Sequence, residues 1–508
     1  MKTEDSTEDS TKDTAENTER TEPGVPTGAL AAAGSPPPPD DARARRHDLT
    51  AAALAALLVA AAILIGRYVQ NRTGTLQVQW PPLLASWDPH LGPGTPAALT
   101  MAVLVIAYGP PLAARLPWRG LLATAWAGST AWVFSMALID GWYRGVERRL
   151  TTKHEYLRVI DRFDDIPATL RDFTNHIVIG EPGNWPAHVA GHPPGATLTF
   201  VWLDRIGLGG GAWAAVWCVV VGSSAVLAAL ITVRVLAGEH LARRAAPFLV
   251  LAPAAVWAGV SADGYFTAVA AWSVALLALA ATRRVRFPGV AAVGGGLLFG
   301  WTCYLSYGLG LMAAVLLAVL VLARTARPVV PFLLGALVVP VAFTLAGFNW
   351  WTAYHLLVER YYQGAGGVRP YAYWVWANLA CAVLAAGLAA VAGVRRSASY
   401  AFGAVRELRT RAGGVRRTGD RAPHAPAQRP APHAPAQRLA LLVLAALVAL
   451  LAADLSGMSK AETERIWQPF LLWLLPSAAL LPARTARYWL VASVVPALLI
   501  NHLLWTGW

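Results

Sequence analysis

Cysteine and charge are both scarce in this chain. Of its 508 residues three are cysteine, Cys218, Cys303 and Cys381, and each lies inside an apolar run. None has the exposed loop partner that a disulfide framework needs, so redox chemistry is not expected. Charged residues make up 14% of the chain and hydrophobic residues 56%. With glycine added and tyrosine removed the apolar share is about 62%, against about 45–50% for soluble globular proteins. A soluble chain is excluded. Acidic residues are the rarer sign, 29 against 42 Lys and Arg, for a net charge of +13. In a soluble protein that surplus would invite nucleic acid, but these arginines sit mostly in short connections between apolar stretches. They act as topology signals, and no nucleic-acid partner is expected.

What is present is a series of long apolar runs, which predicts an all-α polytopic membrane protein. Residues 1–48 are polar, with Lys2, Lys12 and Arg20 against eight acids through Glu22, then proline-rich at Pro36 to Pro39. This composition cannot bury a core and reads as a disordered cytoplasmic tail. Arg43, Arg45 and Arg46, ahead of the first run, hold the N-terminus inside. Runs follow near 49–66, 97–114, 120–139, 212–236, 246–260, 264–282, 288–305, 307–323, 328–346, 371–392, 439–455, 467–483 and 488–505, about 13 transmembrane helices. Residues 49–394 form the transmembrane core and 439–508 the C-terminal helices. Between them, 395–438 carries ten Arg against Glu407 and Asp420 and repeats APHAPAQR at 422–429 and 431–438, which reads as a disordered basic cytoplasmic linker.

Starting inside, every short basic connection falls on the cytoplasmic side and the C-terminus lies outside, provided that His192 to Leu208 does not cross. That stretch has too few apolar residues to span, so a juxtamembrane or re-entrant helix on the outer face is expected. The first outer loop, 140–191, is long and mixed in charge. A second, Asn349 to Pro370, is rich in Trp and Tyr.

The candidate functional residues lie on the outer side, and each has a plainer reading. Asp140 follows an apolar helix end, so it either marks the water boundary or offers a general base at the membrane surface. His192 opens the His-Pro-Pro-Gly stretch and is expected at the positive end of the non-crossing helix, as a catalyst or a structural donor. Asp263, in the tight turn after Ser261, either caps the next helix or faces a cavity. Lys460, Glu464 and Arg465 concentrate charge where the chain re-enters the membrane. Glu462 and Arg465 are i,i+3 partners in a helix, and Arg465 is also the best candidate for holding a lipid-linked phosphate.

An Asp after an early helix, a long first outer loop ending in His-Pro-Pro, and many further spans together resemble GT-C glycosyltransferases. The nearest patterns are the protein O-mannosyltransferases and aminoarabinose transferases. The likeness covers roughly Gly120 to Arg286, with Gly141 and Trp142 standing where the mannosyltransferases carry a second acid. It implies a hexosyl or pentosyl transferase of the plasma membrane, with Asp140 and His192 catalytic. Asp263, Lys460, Glu462 and Arg465 would bind a polyprenyl-phosphate-linked sugar, and the acceptor would be a glycan, lipid or protein. No metal is called for, and no glycine-rich phosphate loop is seen, which fits a donor already carried on lipid. A non-catalytic lipid or polyprenol transporter, or an inactive scaffold of the same fold, is the rival reading.

The topology has a direct check. Single cysteines placed near Lys153 and near Gly366 should react with an impermeant thiol reagent in intact cells, and one near Gly413 only after permeabilisation. Labelling near Gly413 from outside would overturn the orientation.

Overall fold

The computed structural model describes residues 39–415 and 434–506. The chain divides into Met1–Arg46 and His47–Trp508; of the first part the described residues are only 39–46, the opening of helix α1 (Pro39–Thr73). Residues 1–38 of the expected tail and 416–433 of the expected linker lie outside the described residues. Helices α2 (Thr95–Arg115) and α3 (Trp118–Ala137) follow a short strand, β1 (Ala85–Trp87). The first long loop leads through α4 (Ala187–Gly191) to α5 (Gly195–Arg205). Next come α6 (Gly211–Ser223), α7 (Ala225–Ala237), α8 (Glu239–Val250), α9 (Ala262–Ala281), α10 (Pro288–Leu305), α11 (Ala313–Ala323) and α12 (Val329–Leu345). The remainder is α13 (Trp350–Gln363), α14 (Tyr371–Ala386), α15 (Leu388–Val415), α16 (Ala434–Leu455), α17 (Thr463–Ile466), α18 (Gln468–Leu471), α19 (Ala486–Leu503) and strand β2 (Leu504–Thr506).

Among the described residues, eight helices are long and apolar enough to cross a membrane, or up to ten when each of two bent pairs counts as one span. This is a multi-pass membrane protein built almost wholly of helices. The bends have local causes. Asn349 caps α13 by accepting from the Thr352 amide at 3.0 Å, setting that helix at 78° to α12. Gly387, at φ +81°, lets α15 leave α14 at 108°. Helix α5 has eleven residues, about 16 Å, too short to span. It begins at Gly195 because a Cβ there would meet the Tyr304 carbonyl oxygen at 2.5 Å, so α5 abuts the end of α10 directly.

The thirteen apolar runs therefore divide in three ways. Eight are continuous helices, two are the bent pairs, and three, 246–260, 307–323 and 467–483, link the two ends of the bundle as shorter pieces. Two of these run through the interior: residues 467–483 are buried nearly throughout, as is most of 251–263. Hydropathy reads such segments as full helices because their side chains are equally apolar. Irregular backbone at this depth is tolerated only where protein, not lipid, surrounds it.

The basic connections gather at one end of the bundle, where arginines satisfy the last carbonyls of several helices. Arg243 donates to Ala113 and Leu116 at 2.8 Å each, and Arg438 to Leu236 and Leu322 at 3.1 and 3.2 Å. Arg244 donates to Leu481. Arg395 and Arg396 both hold the buried Asp48 carboxylate at 2.7 Å, from a helix that continues to Val415. The stretch expected as a linker over 395–438 is thus helical at both flanks, to 415 and again from 434. At the opposite end β1 and β2 pair antiparallel, Ser86 against Trp505, a contact the sequence did not announce.

Asp48→Asn would leave two guanidiniums facing a neutral amide. Because Arg395 and Arg396 keep some solvent access, the loss should stay below the about 3–5 kcal/mol typical of breaking a fully buried pair. It should appear as a lowered melting temperature in detergent, and an unchanged one would show that the pair does not hold α1.

Candidate functional site

The site grows from the turn that starts α9. Ser261 caps the helix by accepting from the Asp263 amide at 3.1 Å and donates its hydroxyl to the Asp263 carboxylate at 2.9 Å. Facing it, Ala461 and Glu462 take successive positive φ angles, +75° and +63°, at a cost of order 1–3 kcal/mol each. That turn aims Arg465 back at α9, where it donates to Asp263 at 2.7 Å and to Glu462 at 3.1 Å. Burial works against the Arg465 charge, but Asp263 and Glu462 outweigh it and hold the guanidinium above its ordinary pKa. Arg369 approaches Glu462 at 3.6 Å. Next to Arg465, burial pushes Glu464 up to about 7.

A second cluster forms where α3 ends. The Asp140 side chain is buried; one oxygen accepts from Arg149 at 2.7 Å, and the other lies 3.1 Å from His90 and 3.8 Å from Arg144. Arg149 also donates to the Thr506 carbonyl at 2.5 Å, fastening the C-terminal strand to the first loop. Burial lowers the Arg149 pKa, opposed by Asp140.

The two clusters meet across one small pocket lined by Arg149, Glu155, Tyr156, Ser261 and Arg465. Glu155 is buried and ion-paired with His188 at 2.9 Å. Tyr156 lies 3.1 Å from Nδ1 of His192, which is also 2.7 Å from the His188 carbonyl. A carbonyl can only accept, so Nδ1 carries the proton and Nε2 the lone pair. Burial pulls His192 down to about 4, with Asp263 drawing it the other way, so the ring is neutral near pH 7. Two buried cations and a buried carboxylate thus converge on one space, with the neutral imidazole behind Tyr156.

Of the residues singled out in the sequence, Asp263, Glu462 and Arg465 are in direct contact. The i,i+3 pairing of Glu462 with Arg465 forms, alongside the bond to Asp263. Asp140 reaches the pocket through Arg149, and His192 through Tyr156. His192 sits at the C-terminal end of α4, three residues ahead of α5, where the sequence had placed it at a positive helix start; the two prolines intervene. Lys460 turns away, donating to the Gly366 carbonyl at 2.7 Å, with its ammonium 5.3 Å from the Tyr362 ring. Sequence reasoning passed over His90, Arg149, Glu155, Tyr156 and His188. They belong to polar stretches such as Glu147-Arg148-Arg149, where nothing separates a buried charge from a solvated one.

Among the described residues no group of three His, Cys, Asp or Glu side chains is arranged to hold a metal ion. The sequence matches no known family and no characterised protein. Among solved structures the chain is similar to the Archaeoglobus fulgidus oligosaccharyltransferase, in a complex with zinc and sulfate, at a TM-score of 0.42 and 15% identity. The match covers 75% of this chain and 52% of that one, so the chain spans about half its length. At this level of likeness no activity passes from one protein to the other.

The His192 environment sets a pH dependence. Its pKa falls from 6.5 to about 4 on folding, so the unfolded chain binds the extra proton between those values. The stability it contributes is present above about 6.5 and is lost as pH falls toward 4. Thermal stability measured across that window should drop less steeply in His192→Gln than in the wild type. Parallel curves would show that His192 is charged in the folded protein.

Proposed function

We propose that this protein is a GT-C-type membrane glycosyltransferase that moves a hexosyl or pentosyl group from a polyprenyl-phosphate-linked sugar to a glycan, lipid or protein acceptor. The observation that carries the reading is the convergence of Arg149, Arg465 and Glu155 on one pocket at one end of a membrane bundle. The opposite end gathers the basic connections, which supports a cytoplasmic N-terminus and a site on the outer side of the plasma membrane. Thr506 bonded to Arg149 supports an extracytoplasmic C-terminus.

In the reaction, the acceptor hydroxyl oxygen forms a bond to the anomeric carbon as the bond from that carbon to the phosphate oxygen breaks. The hydroxyl proton goes to a carboxylate, and the lipid phosphate leaves with one more negative charge. Arg149 and Arg465 neutralise that charge. Asp140 is tied to Arg149 at 2.7 Å and stands behind it, whereas Glu155 lines the pocket. We therefore assign the base to Glu155 and give Asp140, the carboxylate first favoured from sequence, the task of positioning Arg149. His192 and Tyr156 form the wall beside the reacting groups, and Asp263 and Glu462 orient Arg465. Lys460 supports the outer Tyr-rich segment rather than the donor.

Purified protein in proteoliposomes, given polyprenyl-phosphate sugars and an acceptor extract, tests the reading. Glu155→Gln should lower transfer by about 10²–10⁴-fold with donor affinity little changed. Arg465→Gln should weaken the donor by about ten- to a hundredfold, as a charge-assisted partner is lost. Asp140→Asn should act mainly through donor affinity. Wild-type transfer by Glu155→Gln would sink the base assignment. The broken interior segments favour a second reading, since lipid transporters use such breaks. Lipid movement across the bilayer with no glycosidic bond formed would establish it.

A further inference from the structure

Far from this pocket, a cleft opens between α2, α3 and α8. Its walls include Leu104, Tyr108, Leu112, Leu121, Ala125 and Pro247, and its cavity volume is about 290 Å³. It faces outward from the bundle: Leu104, Tyr108 and Leu112 are 46%, 58% and 46% exposed. Prolines explain why it does not close. Pro110 and Pro111 in α2 and Pro247 in α8 each lack an amide donor and crowd the carbonyl four residues back, which keeps the helices from packing closely there. The Ala107 carbonyl, which has no amide partner in Pro111, accepts from Arg487 at 2.8 Å.

The cleft runs along α2 from Met101 to Leu116, a length of about 22 Å, longer than the roughly 15 Å of one hydrocarbon leaflet. It ends at Arg115 and Arg119, both exposed and, among the described residues, outside any ion pair. Their neighbours Arg234 and Arg243 are tied to Glu239. An apolar slot of acyl-chain length, open to lipid and finished by two uncommitted cations, matches one kind of molecule. We propose that it binds an anionic phospholipid, one acyl chain in the cleft and the headgroup on Arg115 and Arg119. The site is separate from the outer pocket: Gly128, at its upper limit on α3, stands about 18 Å along the helix from Asp140. It does not depend on the transferase reading.

Native mass spectrometry of the delipidated full-length protein, with dioleoyl phosphatidylglycerol or dioleoyl phosphatidylcholine added back, tests this. The anionic lipid should bind about thirtyfold more tightly, as about 1 kcal/mol from each of two surface arginines implies. Arg115→Gln with Arg119→Gln should erase the preference while leaving binding of phosphatidylcholine unchanged. Thr124→Trp, and separately Leu104→Trp from the opposite wall, should fill the slot and remove the tight adduct of either lipid, with melting temperatures confirming that the variants are folded. Equal binding of the two lipids by the wild type, or tight adducts that persist in both folded tryptophan variants, would overturn the proposal. So would displacement of the phosphatidylglycerol by polyprenyl monophosphate, which would make the cleft a donor site.

Discussion

Asp263 and Arg465, buried against each other at 2.7 Å, hold together the two stretches of chain that depart from helical geometry inside the bundle. One stretch arrives at Asp263 through residues 251–261, and the other leaves Arg465 through 467–481. Neither charge could sit alone at this depth, because an unpaired buried ion costs several kcal/mol. Pairing them fixes where both segments begin and how they face each other. The segments then satisfy their backbones through tight local turns, such as Trp257 to Ala254 at 2.9 Å and Ser477 to Leu474 at 3.1 Å. The surrounding long helices supply the dry walls that make such turns affordable.

Arginine is spent differently at the two ends. Where the basic connections lie, guanidiniums such as Arg243, Arg438 and Arg244 end on helix carbonyls, which complements the negative ends of those helices. Arg243 also pairs with Glu239, and Arg395 and Arg396 with Asp48, but at the other end Arg149 and Arg465 meet carboxylates beside a shared pocket. The first use fastens helices together and sets topology. The second builds a polar network whose members have alternatives to one another, and only such a network can admit a charged ligand without leaving a partner stranded.

The sequence made the membrane architecture legible because burial in lipid and burial in protein both demand apolar side chains. For the same reason it could not separate them, and 246–260 and 467–483 read as ordinary spans although buried protein surrounds them. The turn at Ser261 and Asp263 was visible through its capping chemistry, and the i,i+3 spacing of Glu462 and Arg465 gave their contact. Arg149 and Glu155 were invisible because the loop that carries them looks solvated. Only tertiary packing, in which Tyr156 stacks on Phe200 with ring centroids 5.5 Å apart, takes that loop out of water. The pairing of Ser86 with Trp505 joins residues more than four hundred positions apart, beyond the reach of any local pattern.

The cluster around the pocket carries nearly balanced charge, and this constrains how an anion could enter. Asp140, Glu155, Asp263 and Glu462 face Arg149, Arg369 and Arg465, so an arriving phosphate cannot simply be added; it must take the place of a carboxylate. Glu462 is the one placed to yield. Its side chain is the more exposed of the two partners of Arg465, and Arg369 lies 3.6 Å away to receive it. Asp263 is held in addition by Ser261 and stays. Exchange at Arg465 would then transfer Glu462 from one guanidinium to the next while the phosphate accepts the freed donor, keeping every buried charge paired throughout. The left-handed backbone at Ala461 and Glu462 sits where that swing would pivot, which gives its conformational cost a use beyond turning the chain.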